Sequence, residues 1–126
     1  MHFLDSSVCV LMLRGRTAVS ASPAHADTAI SSVVAAELWA GVEKSNRLGE
    51  AGRLEELFEL FAVVDFDHAA ARHYGEIHAD LEKRGTPIGP LDLLIAAHAR
   101  SLGATIVTAN ASEFKRIKGL KVLVWK

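Results

Sequence analysis

The sequence predicts an α/β domain with a parallel central sheet and helices on both faces of that sheet. One observation predicts this class, and a second predicts the number of domains. Short apolar runs alternate with longer segments of helical periodicity along the chain, which is typical of strands buried between two helical layers. The chain has 126 residues, half of them hydrophobic. We therefore expect residues 1–126 to form a single domain with a substantial core.

Five short apolar runs are predicted to be strands, because each is bounded by polar or glycine-containing segments. The first, His2-Phe3-Leu4-Asp5, ends in an acid, and the fourth ends in a threonine. The predicted strands cover residues 2–5, 28–31, 63–66, 104–108 and 120–125.

Helices are predicted between the strands from their capping residues and apolar stripes. Ser6 or Ser7 caps the first helix, which Gly15 ends, and Asp67 caps the helix that Gly85 ends. Residues 46–52 indicate a turn between two helices, residues 17–27 a poor helix or a loop, and residues 110–116 a turn or short helix. The predicted helices run from Ser6 or Ser7 to Gly15, from Ser31 or Ser32 to Lys44, around 54–61, and over 68–84 and 91–102.

The bulk composition excludes several classes of protein. The formal net charge is −1, so nucleic acid would not be bound by overall charge alone. The single cysteine, Cys9, excludes an internal disulfide or thiolate cluster. No stretch approaches the roughly 20 apolar residues of a membrane span, and the N-terminus does not resemble a signal peptide. We expect a cytoplasmic protein that binds no membrane.

Three carboxylates stand where apolar sequence is unfavourable for them. Asp5 ends the first apolar run, Glu37 lies between Val33 and Trp39, and Asp92 follows Leu91 in a strongly apolar segment. An ionised carboxylate in such surroundings costs several kcal/mol unless it is paired, hydrogen-bonded or bound to a cation. Three of them in one small domain suggest a shared cation, and carboxylate oxygens suit Mg²⁺ or Mn²⁺.

The polar candidates follow the carboxyl ends of the predicted strands, where open α/β sheets bind ligands. Each has a simpler explanation when taken alone. Asp5 suits a strand end, Asp92 complements a helix dipole, Asn110 favours a turn, and Glu113 suits a surface, while Glu37 is balanced between the two explanations. The conjunction favours a site. The residues expected at this edge are Asp5, Ser31, Glu37, Asp92, Thr108, Asn110 and Glu113.

Other motifs are weaker. The six histidines contain no His-Glu-x-x-His zinc motif, and His98 is best explained as a hydrogen-bonded core or interface residue. Cys9 lacks an obvious base and is expected to pack in the core. There is no glycine-rich phosphate loop. The basic tail is a solvated face or, less favourably, a phosphate contact; it comprises Lys115, Arg116, Lys118, Lys121 and Lys126.

Three blocks of sequence, in order, resemble the PIN-domain family, and within it the VapC-type toxins. They are Phe3-Leu4-Asp5-Ser6-Ser7, then Ser32-Val33-Val34-Ala35-Ala36-Glu37-Leu38, then Ile88 to Ala99 with Ile106-Val107-Thr108-Ala109-Asn110 and Glu113-Phe114. The resemblance spans the chain and implies a PIN-like three-layer α/β/α sandwich with a mainly parallel sheet. Ser6 and Ser7 stand where the family usually has Thr and Asn, and Asn110 stands at its fourth acidic position.

The resemblance implies a metal-dependent endoribonuclease whose products carry a 5′-phosphate and a 3′-hydroxyl. Asp5, Glu37 and Asp92 would hold Mg²⁺ or Mn²⁺, and Asn110 or Glu113 would complete the site. Ser6 and Thr108 would support it by hydrogen bonds. The implied partners are an RNA substrate, a second copy in a homodimer, and a cognate VapB-type antitoxin.

The expected antitoxin groove is the helical hairpin over residues 31–62, although most of its apolar residues are equally explained as core. The groove candidates are Trp39, Leu57, Phe58 and Phe61. Two other functions compete with the nuclease. One is a catalytically inactive PIN-like interaction module, which Asn110 keeps open. The other is a phosphoacceptor receiver domain, which would need adjacent acids after the first strand, whereas Asp5 is followed by Ser6.

Overall fold

The computed structural model describes residues 1–15 and 27–125. It contains five strands, β1 (His2–Leu4), β2 (Thr28–Ser31), β3 (Ala62–Val64), β4 (Thr105–Thr108) and β5 (Lys121–Val124). The helices are α1 (Ser6–Leu13), α2 (Ser32–Ser45), α3 (Glu50–Leu60), α4 (His68–Lys83) and α5 (Pro90–Ser101), with a short 3₁₀ helix at Phe114–Arg116.

All five strands join one sheet in the order β3-β2-β1-β4-β5, and every neighbouring pair is parallel. The chain moves from β1 to β3 in one direction and then crosses to β4 on the other side of β1. Because such crossovers are right-handed, α1 to α3 lie on one face and α4 and α5 on the other. The contacts agree, since α1, α2 and α3 pack together and α4 packs against α5. The predicted α/β/α class is confirmed.

The core lies between the central strands and the helices that cover them. Phe3, Leu4, Ile30, Ile106 and Val107 are fully buried on the three middle strands. Burial on both faces explains why these strands read as continuous apolar runs rather than as alternating patterns. Within the described residues, no helix is long and apolar enough to cross a membrane.

The turn between α2 and α3 is shorter than the predicted residues 46–52. Asn46 and Gly49 adopt left-handed backbone angles, with φ of 50° and 86°, which reverse the chain within a few residues. The third helix therefore begins at Glu50. Strand β3 spans Ala62–Val64 rather than residues 63–66, and the segment predicted as a poor helix or loop lies, except for Asp27, outside the described residues.

Two predicted groove residues belong to the core. Leu57 is 4% exposed and Phe61 is fully buried, as the simpler explanation of the hairpin predicts. Trp39 and Phe58 are only half-buried, and their ring centroids lie 6.1 Å apart. The surface of the hairpin therefore offers one aromatic pair rather than a four-residue apolar groove.

Candidate active site

The site lies where the chain leaves two adjacent strands in opposite directions. From β1 the chain continues towards β2, and from β4 it continues towards β5. The carboxyl ends of such a strand pair leave a crevice between their connections, which is the usual ligand position in open α/β sheets. Asp5 follows β1 and Thr108 ends β4, so the topology alone brings them together.

Asp5 is a buried carboxylate whose two oxygens are both hydrogen-bonded. The residue is 4% exposed and caps α1, with Oδ1 accepting from the Val8 amide at 3.1 Å and from the Ser7 hydroxyl at 2.6 Å. Oδ2 accepts from the hydroxyl of the buried Thr108. These donors offset the loss of hydration and fix the orientation of the carboxylate.

The supporting hydroxyls are those of Thr108 and Ser7. Thr108 donates to Asp5, and its Oγ1 also accepts from the Asn110 amide at 3.1 Å. Ser7 donates to Asp5 and accepts from the Ala109 amide at 3.0 Å, thereby tying the start of α1 to the end of β4. Ser6, the predicted supporting serine, lines a hollow beside α1 together with Ser7. In the described part of the chain, the serine hydrogen bond to Asp5 comes from Ser7.

Glu37 points one carboxylate oxygen into a buried position without a partner. It lies in the second turn of α2, whose first turn is fixed by the Ser31 cap. Within the described part of the chain, Glu37 Oε1 is buried and accepts no hydrogen bond. Burial raises the pKa of Glu37, and the nearby charges of Asp92 and Asp5 raise it further. A buried, unpaired oxygen next to two acids is a position suited to a cation.

Asp92 and Glu113 lie against the same glycine at the start of α5. The Gly89 amide donates to Glu113 Oε1 at 2.8 Å. A Cβ atom at Gly89 would lie 3.8 Å from Asp92 Oδ2 and 3.9 Å from Glu113 Oε1, so the two carboxylates border one small space. The pKa of Asp92 is raised by burial first, and then by the charges of Glu113 and Asp5.

Asn110 is placed differently from the acids. Its side-chain oxygen accepts from the Ser112 amide at 3.3 Å and from the Ser112 hydroxyl at 3.1 Å, which is the hydrogen bonding of an Asx turn. The residue is exposed. Of the two alternatives for the fourth position, the structure therefore brings Glu113, and not the Asn110 amide oxygen, to the space beside Asp92.

The carboxylates of the site are ligands of the type that a hard divalent cation prefers, but they do not surround a common point. Asp5, Glu37, Asp92 and Glu113 supply only carboxylate oxygens, and each of the first three influences another electrostatically. Over residues 1–15 and 27–125, no three His, Cys, Asp or Glu side chains are positioned to hold an ion together. Mutual repulsion keeps uncompensated carboxylates apart, and Mg²⁺ needs few of them because it retains several waters. The unpartnered Glu37 oxygen is the observation that favours a fit.

Two buried groups lie behind the acids without joining them. His98 is 1% exposed, and its Nδ1 lies 2.8 Å from the hydroxyl of Ser31, the cap of α2. Burial lowers the pKa of His98, so it is the hydrogen-bonded core histidine that the sequence predicts. Cys9 is fully buried, and burial raises the pKa of its thiol far above the usual range, with Asp5 and Glu37 adding to the effect. It packs in the core.

From the sequence, Ser7 is expected as a helix cap or a contact to metal-bound water, and no role is predicted for Gly89. The structure gives the cap of α1 to Asp5, to which Ser7 donates. This bond could have been expected from the spacing, because a residue two after a strand-end Asp cap lies in the first turn of the helix that the Asp caps. Gly89 could not, because the role of its backbone amide depends on Glu113, 24 positions away.

An open parallel sheet with several carboxylates beside the carboxyl ends of its central strands defines an α/β domain with an acidic crevice at that edge. The family described as PIN domain matches residues 2–120 of the chain. This chain belongs to the PIN-domain family.

The relatives are similar over almost their whole length. A "tRNA(fMet)-specific endonuclease VapC" from Shigella flexneri is 39% identical, with 97% of this chain and 96% of the relative aligned. A "Ribonuclease VapC2" from Rickettsia felis is 35% identical, with 99% and 98% aligned.

Solved structures also match this chain over almost its whole length. The VapBC2 structure from Rickettsia felis, bound to a promoter DNA fragment, contains a chain with a TM-score of 0.92 and 34% identity, covering 99% of this chain and 98% of that one. VapBC-1 from nontypeable Haemophilus influenzae gives a TM-score of 0.86 and 31% identity, covering 98% and 97%.

The serine pair provides a test of the hydrogen bonding around Asp5. Ser7→Ala removes the donor to Asp5 and the acceptor for the Ala109 amide, so it is expected to lower the free energy of unfolding by about 1–3 kcal/mol. Ser6→Ala, the matched control, is expected to change it by less than about 0.5 kcal/mol. Urea titration monitored by tryptophan fluorescence measures both values. Equal effects of the two substitutions would contradict the assignment of the bond to Ser7.

Proposed function

We propose that this chain is the toxin of a toxin–antitoxin pair, an endoribonuclease that hydrolyses RNA phosphodiester bonds with the help of Mg²⁺ or Mn²⁺. A cognate VapB-type antitoxin neutralises it. Membership of the PIN-domain family and the full-length similarity to VapC ribonucleases support the nuclease activity. The similarity to VapBC complexes supports the antitoxin partner.

One feature of this chain supports a requirement for a divalent cation. Glu37 and Asp92 are both destabilised as anions by burial and by their carboxylate neighbours, and a buried Glu37 oxygen has no partner in the described structure. A positive charge placed between them would offset the cost of burial, reduce the repulsion between the carboxylates and give the Glu37 oxygen a partner. A purely structural role would predict paired acids, as seen on α4, where Asp80 is bound by Arg84.

The carboxylates have different parts in the proposed site. Asp5 is held rigidly by three donors and provides the fixed oxygen position. Glu37 and Asp92 complete the cation site from α2 and α5, with Glu113 beside Asp92. A bound divalent cation would supply charge neutralisation at the scissile phosphate and a lowered pKa of the attacking water. The protein itself orients these oxygens through the hydrogen bonds to Asp5 and the bond from the Gly89 amide to Glu113.

Initiator transfer RNA is the first substrate to test, because two similar proteins are named tRNA(fMet)-specific endonucleases, at 39% and 37% identity. RNA as the substrate class agrees with the other relatives, which are named ribonucleases. Within this proposal the protein acts in the cytoplasm, where its RNA and its antitoxin are made.

The remaining partners are a second copy of the chain and the antitoxin. We place the antitoxin contact on the half-buried Trp39–Phe58 pair of the α2–α3 hairpin, since aromatic side chains at a surface favour protein contacts. Leu57 and Phe61 are excluded from this contact by their burial. We propose the homodimer because the resemblance to the PIN-domain family implies it.

Cleavage of RNA is expected to require both the cation and Asp92. Purified protein, free of antitoxin, should convert initiator transfer RNA or another species in total RNA to discrete products with Mn²⁺ or Mg²⁺. EDTA should abolish cleavage, and Asp92→Asn should lower its rate by about 100-fold or more, since even indirect partners of metal ligands cost 10–100-fold. Gel electrophoresis with end-mapping measures both effects.

Asp65→Asn, at an exposed acid outside the cluster, is the control and should cleave like the unmodified chain. Cleavage that survives EDTA, or an Asp92→Asn variant of full activity, would contradict the metal site. Folded protein that binds Mn²⁺ but cuts no RNA would instead support the catalytically inactive interaction module.

The fourth position of the site is tested by two substitutions. Glu113→Gln retains an acceptor for the Gly89 amide but removes the charge, so Mn²⁺ affinity and cleavage are expected to fall by about 10–100-fold. Asn110→Ala removes the exposed turn contacts with Ser112 and should change either quantity by no more than about twofold. Calorimetric Mn²⁺ titration and initial rates measure the pair. A larger loss in Asn110→Ala than in Glu113→Gln would assign the position to Asn110.

A further inference from the structure

We propose that three arginines, Arg14, Arg47 and Arg53, bind phosphates of the RNA strand that leads away from the carboxylate cluster. They border a cleft between α1, α2 and α3, which we call the arginine cleft. The inference rests on the proposed nuclease function and extends it to a substrate-binding site remote from the cleavage point.

The arginine cleft combines an apolar floor with a cationic rim. It has a volume of about 400 Å³, and its floor includes Val10, Leu13, Leu38 and Val42 from α1 and α2. Its rim carries three arginines but one acid, Glu50. That acid already accepts a 2.7 Å hydrogen bond from the hydroxyl of Ser45. The rim therefore has an excess of positive charge in a protein whose formal net charge is −1.

The three arginines of the rim are not used to stabilise the fold by ion pairing. Within residues 1–15 and 27–125, none of them forms a salt bridge, and Arg53 donates one 3.4 Å hydrogen bond to the Leu13 carbonyl. The opposite face of the molecule differs, because Arg84 binds Asp80 and Arg100 binds Glu76 there.

The basic tail predicted as a possible phosphate contact is also partly committed to the fold. Arg116 donates to the Pro87 carbonyl at 2.9 Å, and Lys118 lies 3.8 Å from Asp80. Within the described residues, the arginine cleft brings together three guanidinium groups that form no salt bridge, whereas the tail carries one arginine. Their planar donor geometry matches phosphate oxygens.

A second hollow adjoins the arginine cleft and extends along α1 towards Asp5, and none of the four carboxylates is among its lining residues. It has a volume of about 360 Å³, and its lining includes Ser7 and Ala109, which meet beside Asp5. It shares Val10 and Arg14 with the arginine cleft. The path follows α1 from Ser6 to Arg14, about 12 Å at the helical rise per residue, so one RNA strand can occupy both hollows.

Charge explains why RNA is the occupant. The carboxylate cluster repels a polyanion, and a cation there neutralises charge only at the scissile phosphate. An enzyme with an overall negative charge needs further cations along the strand to hold its substrate. The arginine cleft supplies them beyond the second hollow, which shares Val10 and Arg14 with it. An acidic peptide is the alternative occupant, and the experiment distinguishes the two.

The test measures how RNA affinity depends on salt. Each arginine is changed to Gln, singly and together, in Asp92→Asn protein to prevent cleavage, and binding of initiator transfer RNA and of a short oligouridine is titrated at several salt concentrations. The triple variant should bind at least about 10-fold more weakly at low salt. The slope of log K against log [salt] should become shallower by about 0.7 for each phosphate that an arginine no longer neutralises. Arg72→Gln, at an exposed arginine on α4, should change neither quantity.

Variants with Lys at the three positions should recover most of the slope, because they retain the charge, whereas a folding defect would not be rescued in this way. In the active chain, the Gln substitutions should raise KM several-fold on long RNA and leave kcat within about twofold. An unchanged salt slope in the triple variant would overturn the proposal. So would loss of antitoxin binding with normal RNA binding, which would assign the cleft to an acidic peptide. Failure of the unmodified chain to cut any RNA would instead count against the proposed nuclease.

Discussion

The concentration of negative charge at the carboxyl edge of β1 and β4 is the constraint on which the rest of the structure depends. The sheet order brings the ends of these strands together, and α2 and α5 begin close enough to add Glu37 and Asp92 to Asp5. Burial makes the anions of Glu37 and Asp92 costly, and the charges of neighbouring carboxylates add to that cost. The protein tolerates this arrangement because the remainder of the sheet and its helices form a well-buried apolar core.

The acids are not equally stabilised. Asp5 receives hydrogen bonds from Ser7, Val8 and Thr108, which fix the orientation of its carboxylate. Within the described residues, the buried Glu37 oxygen has no hydrogen-bond partner, and Asp92 lies beside Glu113. In the proposed site, the fold fixes one ligand in advance, and the others would be satisfied by a cation. A lower free energy of unfolding, caused by carboxylates that are kept close together, is characteristic of sites in which function competes with folding.

The fold class could be predicted from the sequence, and the three acids could be recognised there as candidates, because both depend on local patterns. Buried strands read as apolar runs, and a carboxylate among apolar residues is visible without coordinates. The remaining features depend on pairs that are distant in sequence. The Gly89 amide meets Glu113, Ser7 rather than Ser6 reaches Asp5, and Arg14, Arg47 and Arg53 meet across three helices. Whether such residues come into contact depends on the orientation of the helices. The periodicity of apolar residues does not predict that orientation accurately enough.

The most direct measurement is thermal unfolding in EDTA and in Mn²⁺. If repulsion among the acids is the central feature, Asp92→Asn should raise the Tm of the metal-free protein by about 3 °C, roughly the effect of 1 kcal/mol in a domain of this size. Mn²⁺ should then stabilise the unmodified chain but not the variant. Asp80→Asn is the matched control, and it should lower Tm, because the hydrogen bond from Arg84 lowers the pKa of Asp80 and favours its anion. A metal-free Asp92→Asn protein less stable than the unmodified chain, or a Mn²⁺ effect that survives the substitution, would contradict the account.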